Sequence, residues 1–166
     1  ALLAGDAALA RFQELFHGDR ELSRSGKPRF TVRDFRDRIR SLADRLVGRT
    51  VELATLRGVV DATPEGVIWV AGTAGIGKSS LLARTAQDHL DQPPLNTLVL
   101  PYWFDAGDEW CQRETFLRFA IERLRDWLRL APSEDGQESP KPFQQLRELL
   151  QHLDGRRVLF VLDGLD

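Results

Sequence analysis

Methionine is absent from this sequence, and cysteine and tyrosine occur once each. The lone thiol, Cys111, can close no internal disulfide and build no cysteine-based zinc site, which fits a reducing cytosol. A free, buried thiol is the expectation for it. With no Met anywhere, residue 1 is not an initiator, and the chain is expected to be an excerpt from something longer. No apolar run reaches the length of a membrane span. Ala1 to Asp6 lacks a basic start and Asp6 interrupts it early, so it does not read as a signal peptide. Excess charge is also missing. A net charge of −2 gives no reason to expect general nucleic-acid or anionic-membrane binding. The charge is uneven, however: residues 1–49 carry 11 Lys+Arg against 7 Asp+Glu, and the rest 12 against 18. Two pieces of different character are suggested. The 166 residues, 42% hydrophobic and 29% charged, suffice for a soluble domain with a real core.

What is present is Gly72-Thr73-Ala74-Gly75-Ile76-Gly77-Lys78-Ser79, which reads GxxxxGK(S/T). Such a match arises by chance in roughly one chain in two hundred of this length, from average residue usage. Val67 to Ala71 before it is a short apolar run that suits a strand buried on both faces. Ser80 to Gln87 after it is a good helix former. Strand, glycine loop and helix together make a phosphate cradle. Phosphate oxygens must be approached by backbone N–H groups, and Cβ atoms obstruct that approach. Gly72, Gly75 and Gly77 have none and can take positive φ. Successive N–H groups then form an anion nest, and the helix N-terminus adds partial positive charge. Lys78 supplies a full charge for the β- and γ-phosphates, and the Ser79 hydroxyl a ligand for Mg²⁺. Ser80 completes the candidate nucleotide-binding set.

Upstream, residues 6–17 read as a helix, 18–28 as a loop and 29–32 as a short strand. Thr31 caps the next helix, with Asp34 as its capping-box partner and Phe35, Ile39, Leu42 and Leu46 as its stripe. Its charged face mixes signs at helical spacing, as solvated faces do. Gly48 breaks it. A second helix starts near Thr50 and carries Val51 or Leu53, then Leu56, Val59 and Val60. Downstream, Leu95 to Phe104 reads as a strand, and Phe116, Phe119, Ala120, Leu124, Trp127 and Leu128 as a helix stripe. Trp103, Trp110 and Trp127 are expected in the core. Pro132 to Pro142 reads as a flexible insert, and Phe143, Leu146, Leu149, Leu150 and Leu153 as another helix. Val158 to Asp163 is five apolar residues ending in an acid. A buried strand ending so presents a carboxylate at the edge of an α/β sheet where ligands bind, and such an Asp holds Mg²⁺ through its water shell. Asp166, three residues on, is the candidate to orient the attacking water.

These residues resemble a family. GTAGIGKS with VLFVLDGLD is similar to the STAND class of P-loop NTPases and, within it, to the NACHT group. That group shows a small residue after the first Asp and an acidic pair beyond. Here the segment is Asp163-Gly164-Leu165-Asp166. Leu46-Val47-Gly48-Arg49 resembles the hhGR motif that lies against the adenine, making Val47, Gly48 and Arg49 nucleotide-side candidates. ATPases of transcription activators and of origin-recognition type share VGR and GxAGIGKS but more often carry two adjacent acids after the strand. Gly164 argues against them. A GTPase of the Ras type would want Gly at position 166, so adenine is expected over guanine. Residues 1–46 resemble more faintly the tail of a TIR-like or flavodoxin-like effector domain, with a helical linker as the alternative.

The resemblance implies an α/β fold: a P-loop NTPase parallel sheet with flanking helices, truncated after the Walker B strand and preceded by a helical N-terminal segment. The family's five strands run in the order 5-1-4-3-2. Residues 47–166 would be the N-terminal, incomplete part of the NTPase domain, and residues 1–166 alone are not expected to make a complete, stable one. The implied function is a cytoplasmic regulatory switch in a multidomain signalling protein. It would bind ATP or ADP with Mg²⁺, hydrolyse ATP slowly, self-associate through the NTPase domain and act with further domains or repeats of the same chain. Alternatives are a nucleotide-binding scaffold that never hydrolyses, and the ATPase module of a DNA-binding transcription activator.

Overall fold

The computed structural model describes residues 2–4, 35–107, 109–130 and 141–165, the first three by their backbone. The helix, loop and strand expected within 6–32, the Thr31 cap with Asp34, most of the insert and Asp166 lie outside these residues. Two compact units divide between Thr85 and Ala86.

The first unit opens with β1 (Leu2–Ala4), which pairs antiparallel with β2 (Ile68–Val70), Leu3 opposite Trp69. Nothing in the sequence pattern anticipates β1. Between them lie α1 (Arg36–Ala43) and α2 (Thr50–Ala62). Phe35, Ile39 and Ala43 recur every four residues and are buried at 2–3% exposure, one face of α1. The helix stops at Ala43, well before Gly48, so Leu46 is half-buried beyond its end and not part of the stripe. On α2 the buried pair is Leu56 and Val60. Val51 lies five residues before Leu56, roughly 140° around the helix, and is exposed; Leu53 and Val59 are half-buried members of the stripe. β2 is shorter than expected and half-buried, not covered on both faces, its described strand neighbour being β1. The chain then runs through the glycine loop into α3 (Lys78–Asp91), which crosses the division between the units.

The second unit is built on β3 (Thr97–Trp103) and β4 (Arg157–Asp163), paired parallel with Trp103 opposite Asp163. They pair as strands 2 and 3 of the order 5-1-4-3-2 do. The Phe104 N–H donates to the Asp163 carbonyl and the Arg157 N–H to the Asn96 carbonyl, so even-numbered residues of β3 face β4. Pro101 therefore faces the opposite edge, where its missing N–H leaves the ladder intact; proline in a strand marks such an outer edge. β4 is half-buried along its length except at Val161, and so is less enclosed than expected. Within the described residues it has one strand neighbour.

A short 3₁₀ turn (Glu109–Cys111) leads to α4 (Arg113–Leu128), which packs on β3 and on α5 (Pro142–Gln151). Trp110 turns inward at 8% exposure and Cys111, the next residue, turns out; the thiol is exposed, contrary to the expectation of burial. Pro142 belongs to α5 rather than the insert, since proline in the first turn lacks only an N–H that no helix bond needs. Leu146 is the buried residue of α5, while Phe143 in its first turn stays 42% exposed. The core is aromatic. Tyr102, fully buried, lies 4.8 Å from Phe104, 5.1 Å from Phe116 and 5.3 Å from Phe119, ring centre to ring centre. Trp103 is buried at 1%. The tryptophans expected in the core are thus packed at Trp103 and Trp110, with Trp127 half-buried.

The Tyr102 hydroxyl donates to the Trp110 carbonyl at 2.9 Å in this buried setting. Tyr102→Phe keeps the ring and removes that bond, so stability should fall by about 1 kcal/mol. A urea titration of both proteins measures it; an unchanged midpoint would mean the carbonyl is as well satisfied without the hydroxyl.

Candidate functional site

The glycine loop leaves β2 at Ala71 and enters α3 at Lys78. Gly75 and Gly77 take φ of 76° and 95°, the left-handed region that a Cβ disfavours. Gly72 does not take the positive φ expected of it, and a Cβ there would meet Ile76 Cγ2 at 3.0 Å. It is a close-packing glycine and the other two are conformational ones. Thr73, Ala74, Gly75, Ile76 and Gly77 are exposed; Lys78, Ser79 and Ser80 are half-buried in the first turn of α3. The turn is closed by the Ile76 N–H on the Thr73 carbonyl at 3.4 Å.

Lys78 Nζ donates to the carbonyls of Gly72 at 2.9 Å and Thr73 at 3.3 Å. The ammonium is therefore held over its own loop and not extended into solvent. Phosphate oxygens are stronger acceptors than neutral carbonyls, so an arriving polyphosphate can take over these donors.

Arg49, the last residue of the hhGR motif, reaches this loop. Val47 is 85% exposed, Gly48 takes φ 71° and Arg49 stands at the start of α2. Arg49 Nη2 donates to the Ile76 carbonyl at 3.2 Å and Nη1 to Glu52 Oε1 at 2.7 Å. That hydrogen bond, with the residue's own backbone N–H, holds the Glu52 carboxyl below its ordinary value. A carboxylate depressed in the folded state keeps its contribution at neutral pH and loses it as pH falls through the folded value, here below the usual glutamate range. Glu52 went unnoticed in the sequence. The signal was available, as an Arg-x-x-Glu spacing that puts both side chains on one helix face.

Asp163 belongs to the second unit, as the last residue of β4. The next residue, Gly164, takes φ 81°, and a Cβ on it would run into the Phe104 carbonyl. This gives the small residue after the acid a physical reason. The chain must turn left-handed directly against the end of β3. Among the described residues no three or more His, Cys, Asp or Glu side chains come together. Mg²⁺ needs no such cage, because it is usually held by one or two carboxylates, waters and substrate phosphates. A hydroxyl at Ser79 and a carboxylate at Asp163 are donors of that kind.

A family model for the AAA ATPase domain matches residues 45–166, from just before the hhGR motif through the glycine loop to the acid-ended strand. The chain belongs to the AAA ATPase domain family. It contains a nucleotide-binding ATPase module, and AAA ATPase domains bind ATP or ADP with Mg²⁺. No curated protein and no solved structure matches the chain. No helix of the described residues is long and apolar enough to cross a membrane.

In this AAA ATPase domain Gly164 should be irreplaceable by alanine. The methyl group meets a backbone carbonyl, and the left-handed φ adds about 1–2 kcal/mol. Gly164→Ala should lower the unfolding midpoint well beyond that figure, since the clash adds to it. A thermal melt equal to wild type would show that the Phe104 end of β3 yields freely.

Proposed function

We propose that residues 47–166 form an ATP-binding, slowly ATP-hydrolysing switch of the NACHT type within the STAND class, in a cytoplasmic multidomain signalling protein. Residues 1–46 are then the tail of an upstream domain or a helical linker. The observation that carries the nucleotide reading is the loop itself. Two left-handed glycines and one close-packed glycine stand before a helix N-terminus, with the Lys78 ammonium on the loop's own carbonyls. The NACHT reading is supported by Asp163-Gly164-Leu165-Asp166 and by the room that only glycine leaves at 164.

In this reading the backbone N–H groups of Gly72 to Gly77 and the ammonium of Lys78 bind the phosphates. The Ser79 hydroxyl and the Asp163 carboxylate would hold Mg²⁺, which would supply positive charge to the phosphoryl oxygens. Ser80 follows on the first turn of α3. Asp166 orients the attacking water, and Val47 and Gly48 flank the base side. The reaction is phosphoryl transfer to water, so the protein's part is positioning and electrostatics. Exchange of ADP for ATP shifts a two-state equilibrium toward a self-associating form, and hydrolysis resets it. Further domains or repeats of the same chain read out that change.

Two measurements on the intact protein test this. Lys78→Ala removes the loop's full charge and should weaken ATP binding on the order of a hundredfold by calorimetry, the worth of two charge-assisted hydrogen bonds; equal affinity would sink the phosphate-loop assignment. Asp163→Asn should leave ATP affinity in EDTA unchanged and abolish most of the gain that Mg²⁺ gives. If wild type and variant respond alike to the metal, Asp163 is only a strand-end acid.

A further inference from the structure

Arg49 reaches across 27 residues of chain to the Ile76 carbonyl, inside the phosphate loop. The Ile76–Gly77 peptide turns about Ile76 ψ and Gly77 φ, and glycine takes either sign of φ at little cost. This plane is therefore a place where the loop can flip. No peptide bond among the described residues is cis, and in a trans peptide the carbonyl and the following N–H point in opposite directions. Whichever way the Ile76 carbonyl faces, the Gly77 N–H faces the other way. Holding the carbonyl on Arg49 thus fixes the direction of one donor of the anion nest.

Glu52 completes the device. It takes Nη1 while Ile76 takes Nη2, so both arms of a planar fork are occupied and its direction is set. The ion pair itself stabilises little. Arg49 and Glu52 side chains are 42% and 47% exposed, and such pairs contribute about 0–1 kcal/mol. What the pair supplies is aim.

We propose that Arg49, oriented by Glu52, is a positioning residue of the phosphate loop: it fixes the Ile76–Gly77 peptide so that the Gly77 N–H faces the phosphates, and it does not act on the base. The proposal rests on the phosphate-loop reading and extends it, because the family resemblance puts Arg49 on the adenine side.

The test compares ATP with inorganic tripolyphosphate, which has the phosphates and no base, by calorimetry on the intact protein. Arg49→Ala should weaken both ligands by the same factor, about tenfold, the worth of one charge-assisted hydrogen bond. Arg49→Lys should restore part of that loss. Glu52→Gln should also weaken both, because the fork loses its aim. Amide hydrogen exchange at residues 75–78 should quicken in Arg49→Ala while residues 56–60 of α2 stay protected. Loss of ATP affinity alone makes Arg49 a base-side group and overturns the proposal. Tighter binding in Glu52→Gln means that Arg49 acts directly as a charge on the phosphates, and overturns it too. Faster exchange throughout α2 reduces the pair to a helix brace and likewise overturns the proposal. If Lys78→Ala loses both ligands and Arg49→Ala neither, the proposal fails and the phosphate-loop reading stands. A Lys78→Ala protein that binds both as wild type does removes the reading itself and the proposal with it.

Discussion

An anion cradle made of backbone can exist only where the chain bends so that consecutive N–H groups turn the same way, and here that bend depends on left-handed φ at Gly75 and Gly77. The neighbouring features serve the same constraint. β2 delivers the chain, α3 receives it with its positive end, Gly72 lets Ile76 fold close, and Lys78 lies back on the loop it charges. None of these contributes much stability. Most of the loop is exposed, and its bonds are single contacts to carbonyls. The loop is thus organised around geometry rather than burial.

The second unit works the other way. Its aromatic cluster around Tyr102 is closely packed, and the parallel ladder of β3 and β4 is fixed in register from Thr97 opposite Arg157 to Trp103 opposite Asp163. A one-residue slip would exchange the faces of every side chain on β4 and move Asp163 off the end of the ladder. Gly164 makes such a slip harder still, since only a residue without Cβ fits against the Phe104 carbonyl. Core packing in this unit therefore decides where one carboxylate stands.

Much of this was legible in the residues, and the failures have physical causes. The strand, loop and helix around Gly72–Ser79 could be read because each residue type there answers one steric or electrostatic demand. β3, α4 and β4 could be read because their apolar periods are long and bounded by Pro, Gly and Asp. Val51 was ambiguous from spacing, and the choice of Leu56 and Val60 as the buried pair settled it. Cys111 was misjudged because thiols are usually buried, whereas here Trp110, the larger apolar neighbour, takes the inward position of a one-turn 3₁₀ helix. β1 could not be foreseen, since a three-residue strand carries almost no periodic signal. Gly72 was expected to take positive φ with the other two and does not. Sequence shows that a Cβ is absent, not whether the absence serves dihedral freedom or contact distance.

Pro101 has a consequence for how the molecule meets its neighbours. The outer side of β3 lacks one donor in the middle of its row of backbone groups, so any strand laid along it would leave an acceptor unanswered. Growth of the sheet on that side is penalised, whether by another part of the chain or by a second molecule. The same ladder carries no proline on β4. The sheet is in this sense a one-sided template: it accepts additions beside the acid-ended strand, and is protected from sticking to its own kind along the other.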